Sequence, residues 1–181
     1  MIKSAYSFET KKEKIEKHII VVWVDNESGV LARVVGLFSG RGYNIDSLAV
    51  AEVDKKKNIS RITISTSGTP QVLQQIKLQL GKLIPVHKVA DFPSNKKTLI
   101  REMALLKIIS SKTNLEKSKK LCKKYKVTII DKTPKSLVLE ISALKKEIDQ
   151  LIKKLQPIGL ASVSRTGIVA MTKGSEVYKQ I

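Results

Sequence analysis

The order of strand and helix patterns repeats once along this chain of 181 residues, and the repeat limits the possible folds more than any other feature. In the first half, β-branched or alternating apolar runs predict strands, and apolar residues spaced three and four apart predict helices. The predicted segments are strand 18–25, helix 30–38, strand 43–53, strand 59–65, helix 70–83 and strand 86–90.

The second half repeats this order with a more charged sequence. The predicted segments are strand 103–109, a helix that begins near Thr113 or Asn114 and reaches Tyr125, strand 127–130, strand 136–141, helix 144–155 and strand 160–164. Each half is therefore typical of a split βαβ unit, in which two helices cover one face of an antiparallel sheet. The sequence predicts an α+β protein with two ferredoxin-like βαββαβ domains in tandem.

Composition divides the chain into five parts. A segment with the composition of a linker, 93–98, separates a first domain at 18–92 from a second at 99–174, and we expect a flexible arm at 1–17 and a tail at 175–181. In each domain the sheet face away from the helices needs cover. Pairing of two chains, side by side or face to face, is the simplest way to provide it.

The net charge of +18 raises the question of nucleic-acid binding. The positive charge comes from 29 Lys and only 5 Arg, and aromatic residues make up 4% of the chain. Proteins that recognise base edges rely on the bidentate guanidinium group of Arg, and proteins that bind single strands rely on aromatic side chains stacked on the bases. The composition therefore argues against a nucleic-acid partner and is at least as compatible with an acidic protein partner, although an amino-acid-sensing module that acts on nucleic acid stays open as the alternative.

The sequence contains no recognisable catalytic or metal-binding constellation. His18 and His87 have no Cys, Asp or Glu at the spacing of metal ligands, so neither a metal site nor catalytic residues are predicted. The single cysteine, Cys122, lies among apolar positions of a predicted helix, which favours a packed thiol over a nucleophile. The longest apolar run, Ile19–Val24, is too short to span a membrane.

Two short segments together suggest a small-ligand site. Asn26, Ser28 and Gly29 precede the first helix, where unpaired backbone N–H groups favour a carboxylate. Asn44 is predicted at the start of the neighbouring strand, beside the same edge, where its amide oxygen can accept from an ammonium group. Leu31 and Ile45 would add an apolar wall, so the set describes a small apolar amino acid. The alternative is helix capping by Asn26 or Ser28, with Asn44 satisfying a turn.

The stretch Asp25–Asp54, DNESGVLARVVGLFSGRGYNIDSLAVAEVD, closely resembles the ACT domain of acetolactate synthase (acetohydroxyacid synthase) small subunits. The resemblance continues through residues 59–64 and 79–83, and weakens but persists at 99–108, 129–134 and 164–167. It covers about residues 18–174 and implies that the first of the two domains is an ACT domain.

The resemblance implies a regulatory subunit with no catalytic site of its own, in valine, leucine and isoleucine biosynthesis. Such subunits bind a catalytic subunit, increase its activity and confer feedback inhibition, usually by valine. Thiamine diphosphate, Mg and FAD are expected only on that catalytic subunit, with no cofactor in this chain. A prokaryotic cytoplasm and a plastid stroma both fit a chain in which no targeting segment is seen.

The resemblance also implies where the effector binds. In such subunits valine, leucine or isoleucine lies where the ACT domains of a homodimer meet. The matching positions here are Asn26, Gly29 and Asn44, with the neighbours Ser28, Val30, Leu31 and Ile45.

Overall fold

A computed structural model describes residues 14–93 and 98–175. The predicted arm lies almost wholly outside the described residues, as do most of the predicted linker and tail. The described strands are β1 Glu16–Asp25, β2 Ser47–Asp54, β3 Ile59–Gly68, β4 Val86–Pro93, β5 Thr98–Ile109, β6 Val127–Lys132, β7 Ser136–Ala143 and β8 Leu160–Thr172. The described helices are α1 Val30–Ser39, α2 Pro70–Leu80, α3 Lys112–Cys122 and α4 Lys145–Gly159.

The first unit, β1 to β4 with α1 and α2, is a four-stranded antiparallel sheet with strand order β2-β3-β1-β4. Alternation along β1 sends Ile20, Val22 and Val24 to the face that α1 and α2 cover. The same core contains Val34 and Phe38 of α1, which come to one helical face through their spacing of four. The predicted βαββαβ arrangement is confirmed for this unit.

The second unit, β5 to β8 with α3 and α4, repeats the arrangement with strand order β6-β7-β5-β8. Its core lies between the sheet and the two helices, and it contains Leu106 of β5, Leu139 of β7, Leu115 of α3 and Leu151 of α4. The tandem ferredoxin-like fold is therefore confirmed. The position of the boundary between the domains stays a prediction, because residues 94–97 lie outside the described part.

Several predicted segment ends were wrong. The second strand begins at Ser47 and not at Tyr43, since Tyr43 turns back onto α1, where its N–H donates to the Phe38 carbonyl at 2.9 Å. Helix α4 continues through Pro157 to Gly159. Pro157 lacks the N–H that would bond to the Lys153 carbonyl, so the helix continues through it at the cost of that hydrogen bond.

The face of the first sheet away from its helices is covered by the same chain. Strand β8 is 13 residues long, well beyond the predicted 160–164, and its extension brings Ile168 and Ala170 against Ile19, Val21 and Trp23 of β1. The expectation that pairing of two chains is the simplest way to cover this face was wrong for the part that β8 reaches. Burial by β8 therefore joins the two units.

Polar contacts reinforce this joint. The Arg61 guanidinium donates to the Ala170 carbonyl and lies over the Trp23 ring, 5.6 Å from its centroid. Gly167, with φ +80°, passes so close to β2 that a Cβ there would lie 3.1 Å from the Leu48 carbonyl oxygen. Glycine is thus needed for β8 to approach β2.

Candidate functional site

The first turn of α1 is open to a ligand. Its N-cap is Gly29, in a left-handed conformation with φ +83°, and no side chain among the described residues caps the helix. Asn26 does not act as the cap, because its Oδ1 accepts from the Ser60 hydroxyl at 2.9 Å. The Val30 N–H donates to the Glu27 carbonyl at 3.3 Å, but the amides of Leu31 and Ala32 have no partner within the helix and remain available to an anion.

The apolar residues near this turn differ in exposure. Leu31 is 41% exposed beside the turn, whereas Val30 is 3% exposed and packs into the core of the first unit. Ser28 is exposed next to Gly29. The structure therefore places Ser28, Gly29 and Leu31 at the surface, while the side chain of Val30 lies in the core and its N–H is bonded to the Glu27 carbonyl.

Asn44 lies in the loop before β2. Its Nδ2 donates to Asp46 Oδ1 at 2.8 Å, and its backbone carbonyl accepts from the Thr66 hydroxyl at 2.7 Å. These bonds hold the amide group at the surface, and Ile45 beside it packs partly against the core of the first unit.

Asp46 is a charged group at this loop that sequence reasoning missed. Burial alone would raise the pKa of Asp46, but a hydrogen bond from Ser67 and the charge of Lys17 outweigh it and lower the pKa below its usual value. A carboxylate therefore stands beside the Asn44 amide at neutral pH. The sequence feature that could have identified Asp46 is its position two residues after Asn44.

Within one chain the two halves of the site lie at opposite ends of the first sheet. The turn 26–29 follows Asp25, which pairs with Ile59. The Asn44 loop lies at the other end of β3, where Asp46 N–H donates to the Ser65 carbonyl at 2.8 Å. Six residues of strand separate these ends, about 20 Å at the usual rise. The prediction that Asn44 stands beside the same edge was wrong for a single chain, because β1 and β2 both run antiparallel to β3, so the start of β2 lies level with the first half of β1 and not with its end at Asp25.

A cleft of about 360 Å³ opens between the two units beside the Asn44 loop. Asp46, Ser47 and Leu48 line it from the first unit, and Glu102 and Arg165 line it from the second. Ile168 N–H donates to the Ser47 hydroxyl at 3.4 Å, which links β8 to the start of β2.

An ion-pair cluster forms one wall of this cleft. The Arg165 guanidinium donates to both carboxylate oxygens of Glu102 at 2.7 Å and to Asp149 at 2.6 Å. The hydrogen bonds to Glu102 raise the pKa of Arg165 further above its ordinary value. Since Glu102 is only 4% exposed, Arg165 supplies the charge that makes its burial tolerable. The cluster joins β5, α4 and β8 at the joint between the units.

The two histidines, which have catalytic or metal-binding potential, each contact an aspartate. His18 lies 2.8 Å from Asp91, and His87 lies 2.6 Å from Asp25. No group of three or more metal-ligating side chains occurs in the described residues. None of the described helices is long and apolar enough to cross a membrane.

Cys122 is buried, and its burial raises the pKa of the thiol to about 11. Because only the thiolate reacts, we expect iodoacetamide to label Cys122 at pH 8 at least about 100-fold more slowly in the folded chain than in urea. The chain has no other cysteine, so mass spectrometry of the intact protein reads this site alone. Equal rates in both conditions would show that Cys122 is a reactive thiol, and a catalytic role for Cys122 would then have to be tested.

Comparisons with known proteins agree with this fold. Two family models match the chain: AHAS small subunit-like ACT domain over residues 20–88, and small subunit of acetolactate synthase over residues 101–174. The acetolactate synthase small subunit of Aquifex aeolicus is 34% identical over 95% of this chain and 89% of its own length. The isozyme 3 small subunit of Salmonella typhimurium is 36% identical over 90% and 99%. The crystal structure of the small subunit from Thermotoga maritima matches with a TM-score of 0.80 and 31% identity, over 88% of this chain and 99% of that one.

Proposed function

Because the chain belongs to the family of acetolactate synthase small subunits, we propose that it activates a thiamine-diphosphate-dependent catalytic subunit and makes it sensitive to a branched-chain amino acid. It has no catalytic site of its own in this proposal. Thiamine diphosphate, Mg and FAD belong to the catalytic subunit, and the two proteins act together in a prokaryotic cytoplasm or a plastid stroma.

The observation that carries the sensor part is the uncapped first turn of α1 at Gly29. Its amides and the positive end of the helix dipole suit the carboxylate of an amino acid. The Asn44 amide oxygen and the Asp46 carboxylate suit an ammonium group. Leu31 and Ile45 are the adjacent apolar groups, which fits an aliphatic side chain such as that of valine, leucine or isoleucine.

A homodimer through β2 would bring these two halves together. β2 is the outer strand of its sheet, and residues 50–53 are exposed, with Val50 at 43% and Val53 at 37%. Two-fold antiparallel pairing of β2 with a second copy sets the start of one strand opposite the end of the other. The Asn44 loop of one chain then approaches the Asp54 end of its partner.

That end of the partner leads to the second half of the site. Asp54 pairs with Ile59, and Ile59 pairs with Asp25, which leads into the turn at Gly29. Each effector would thus bridge two chains, and a dimer would hold two equivalent sites. Such bridging couples effector binding to the geometry of the dimer, a coupling typically worth about 1–3 kcal/mol.

Reconstitution with the cognate catalytic subunit tests the proposal. We expect the purified chain alone to form no acetolactate from pyruvate, to stimulate the catalytic subunit, and to make the mixture sensitive to valine, leucine or isoleucine. Calorimetry with the same three amino acids should detect binding that Asn44→Ala weakens. Stimulation that none of the three reduces would remove the sensor part, and absence of stimulation would remove the regulatory part.

A further inference from the structure

The positive charge of the chain is concentrated in the second unit. Residues 14–93 contain 11 Lys or Arg and 7 Asp or Glu, a net charge of +4. Residues 98–175, a stretch of nearly equal length, contain 17 and 6, a net charge of +11. A uniform preference for lysine does not account for this difference between two units of one fold.

Within the second unit the charge is greatest on α3 and the turn that follows it. Residues 112–126 contain seven lysines and one acidic residue, Glu116. By contrast, α1 contains a single charged residue, Arg33, and α2 contains a single charged residue, Lys77. Leu115, Ser118 and Cys122 form the buried side of α3, so the lysines occupy its outer side. We call this outer side, with Lys117, Lys120, Lys123 and Lys124, the basic face.

The positive charges of the basic face are not neutralised by acidic side chains among the described residues. Lys119 pairs with Glu116, but the four lysines of the basic face make no ion pair with any described residue. Lys120 has Lys117 three residues before it, and Lys123 and Lys124 follow three and four residues after it. Like charges at these spacings repel one another and destabilise a helix. A partner that supplies negative charge would relieve this repulsion and stabilise α3.

The chemistry of the surface favours protein carboxylates over nucleic acid. No arginine occurs between Arg101 and Arg165, and Tyr125 is the only aromatic residue in 98–175. The Tyr125 hydroxyl already accepts from Lys154 at 3.0 Å, and the same ammonium lies over its ring. The face therefore offers neither the Arg fork nor free stacking surfaces.

A cavity of about 250 Å³ at the start of α3 points to the same partner. Leu115 and Leu137 contribute its apolar lining, Lys112 and Lys132 add positive charge, and Lys119 and Glu116 line it as an ion pair. An aliphatic side chain flanked by carboxylates fits such a cavity, and a phosphate backbone does not fill it.

We propose that the basic face of α3 docks on an acidic surface of the catalytic subunit. This inference rests on the proposed function, since it names the contact through which that partner is held. Docking would order α3 in the complex and would weaken as salt screens the charges.

The test compares two charge-reversed variants of the full chain. K117E/K124E changes the basic face by placing one carboxylate three residues before Lys120 within α3 and another in the turn after the helix. K107E/K173E makes the same change in net charge in the same unit but away from α3, on β5 and just after β8. Circular dichroism verifies that both variants fold.

Activation of the catalytic subunit is titrated at low and high salt. At low salt we expect K117E/K124E to raise the concentration for half-activation by about tenfold and K107E/K173E by less than about twofold, with the difference shrinking at high salt. Hydrogen exchange of the α3 amides should slow in the wild-type complex.

Each other outcome has a distinct meaning. Wild-type activation with an unaffected K117E/K124E would overturn the docking surface and leave the proposed function standing. Equal weakening by both variants would show long-range attraction without a specific face. A chain that activates nothing would remove the proposed function and the docking surface with it. Tight binding of duplex oligonucleotides that K117E/K124E abolishes would reassign the face to nucleic acid.

Discussion

Gly29→Asp should abolish feedback inhibition and leave activation intact. The new carboxylate would stand at the helix amides where the effector carboxylate is proposed to bind, and like charges in one site cost several kcal/mol. We expect the amino-acid concentration for half-inhibition to rise by about 100-fold or more. Activation without effector should change by less than about twofold.

The local structure has space for this substitution but strains its backbone. No atom lies within 4 Å of a Cβ built at Gly29, whereas its φ of +83° is strained for any residue that has a Cβ, although less so for Asp and Asn than for most. The N-cap preference for Asp applies to an extended backbone, so it does not offset this strain, and α1 should lose some stability. Only a loss of inhibition beyond that of an equally strained, uncharged variant would therefore report on the ligand site.

Gly29→Asn is the matched control, since its side chain has the same shape and backbone preference without the charge. It should retain inhibition to within about tenfold of wild type. If both variants lost inhibition equally, occupation of the helix amides and not charge would be the cause. Inhibition that survives in Gly29→Asp would place the effector elsewhere.

The sequence predicted local elements well where a single periodicity governs the residues. The alternation in β1 and the helical spacing of Val30, Val34 and Phe38 both arise from packing against one core, and both are present as expected. The predicted turn at 26–29 likewise follows from Gly29, because its left-handed φ is accessible to glycine.

Features that depend on contacts distant in sequence could not be predicted in this way. The apolar residues Ile168 and Ala170 of β8 pack on Trp23 and its neighbours about 145 residues earlier, and no local pattern identifies that partner. The separation of Asn44 from Gly29 follows from the order and direction of the strands, which hydrophobic periodicity does not specify. A homodimer is needed to join them, so this part of the site stays a proposal.

Arg165→Met should destabilise the protein by about 3 kcal/mol, which for a chain of this size lowers the melting temperature by about 6–12 °C. The substitution removes both hydrogen bonds to Glu102 and leaves a carboxylate that is 4% exposed without its counter-charge. The cost arises mainly from this unpaired buried charge, since Met retains much of the packing of the arginine side chain.

The double variant E102Q/R165M separates charge from packing. Gln keeps the size of Glu102 but removes its charge, so the double variant should recover most of the lost stability, and thermal unfolding of all four proteins completes the cycle. A loss of less than about 1 kcal/mol in R165M alone would mean that water reaches Glu102 and that the cluster does not hold β5 to β8. Equal losses in R165M and E102Q/R165M would assign the effect to packing instead. Only recovery in the double variant identifies Arg165 as the counter-charge that fixes β8, and with it the joint between the two units.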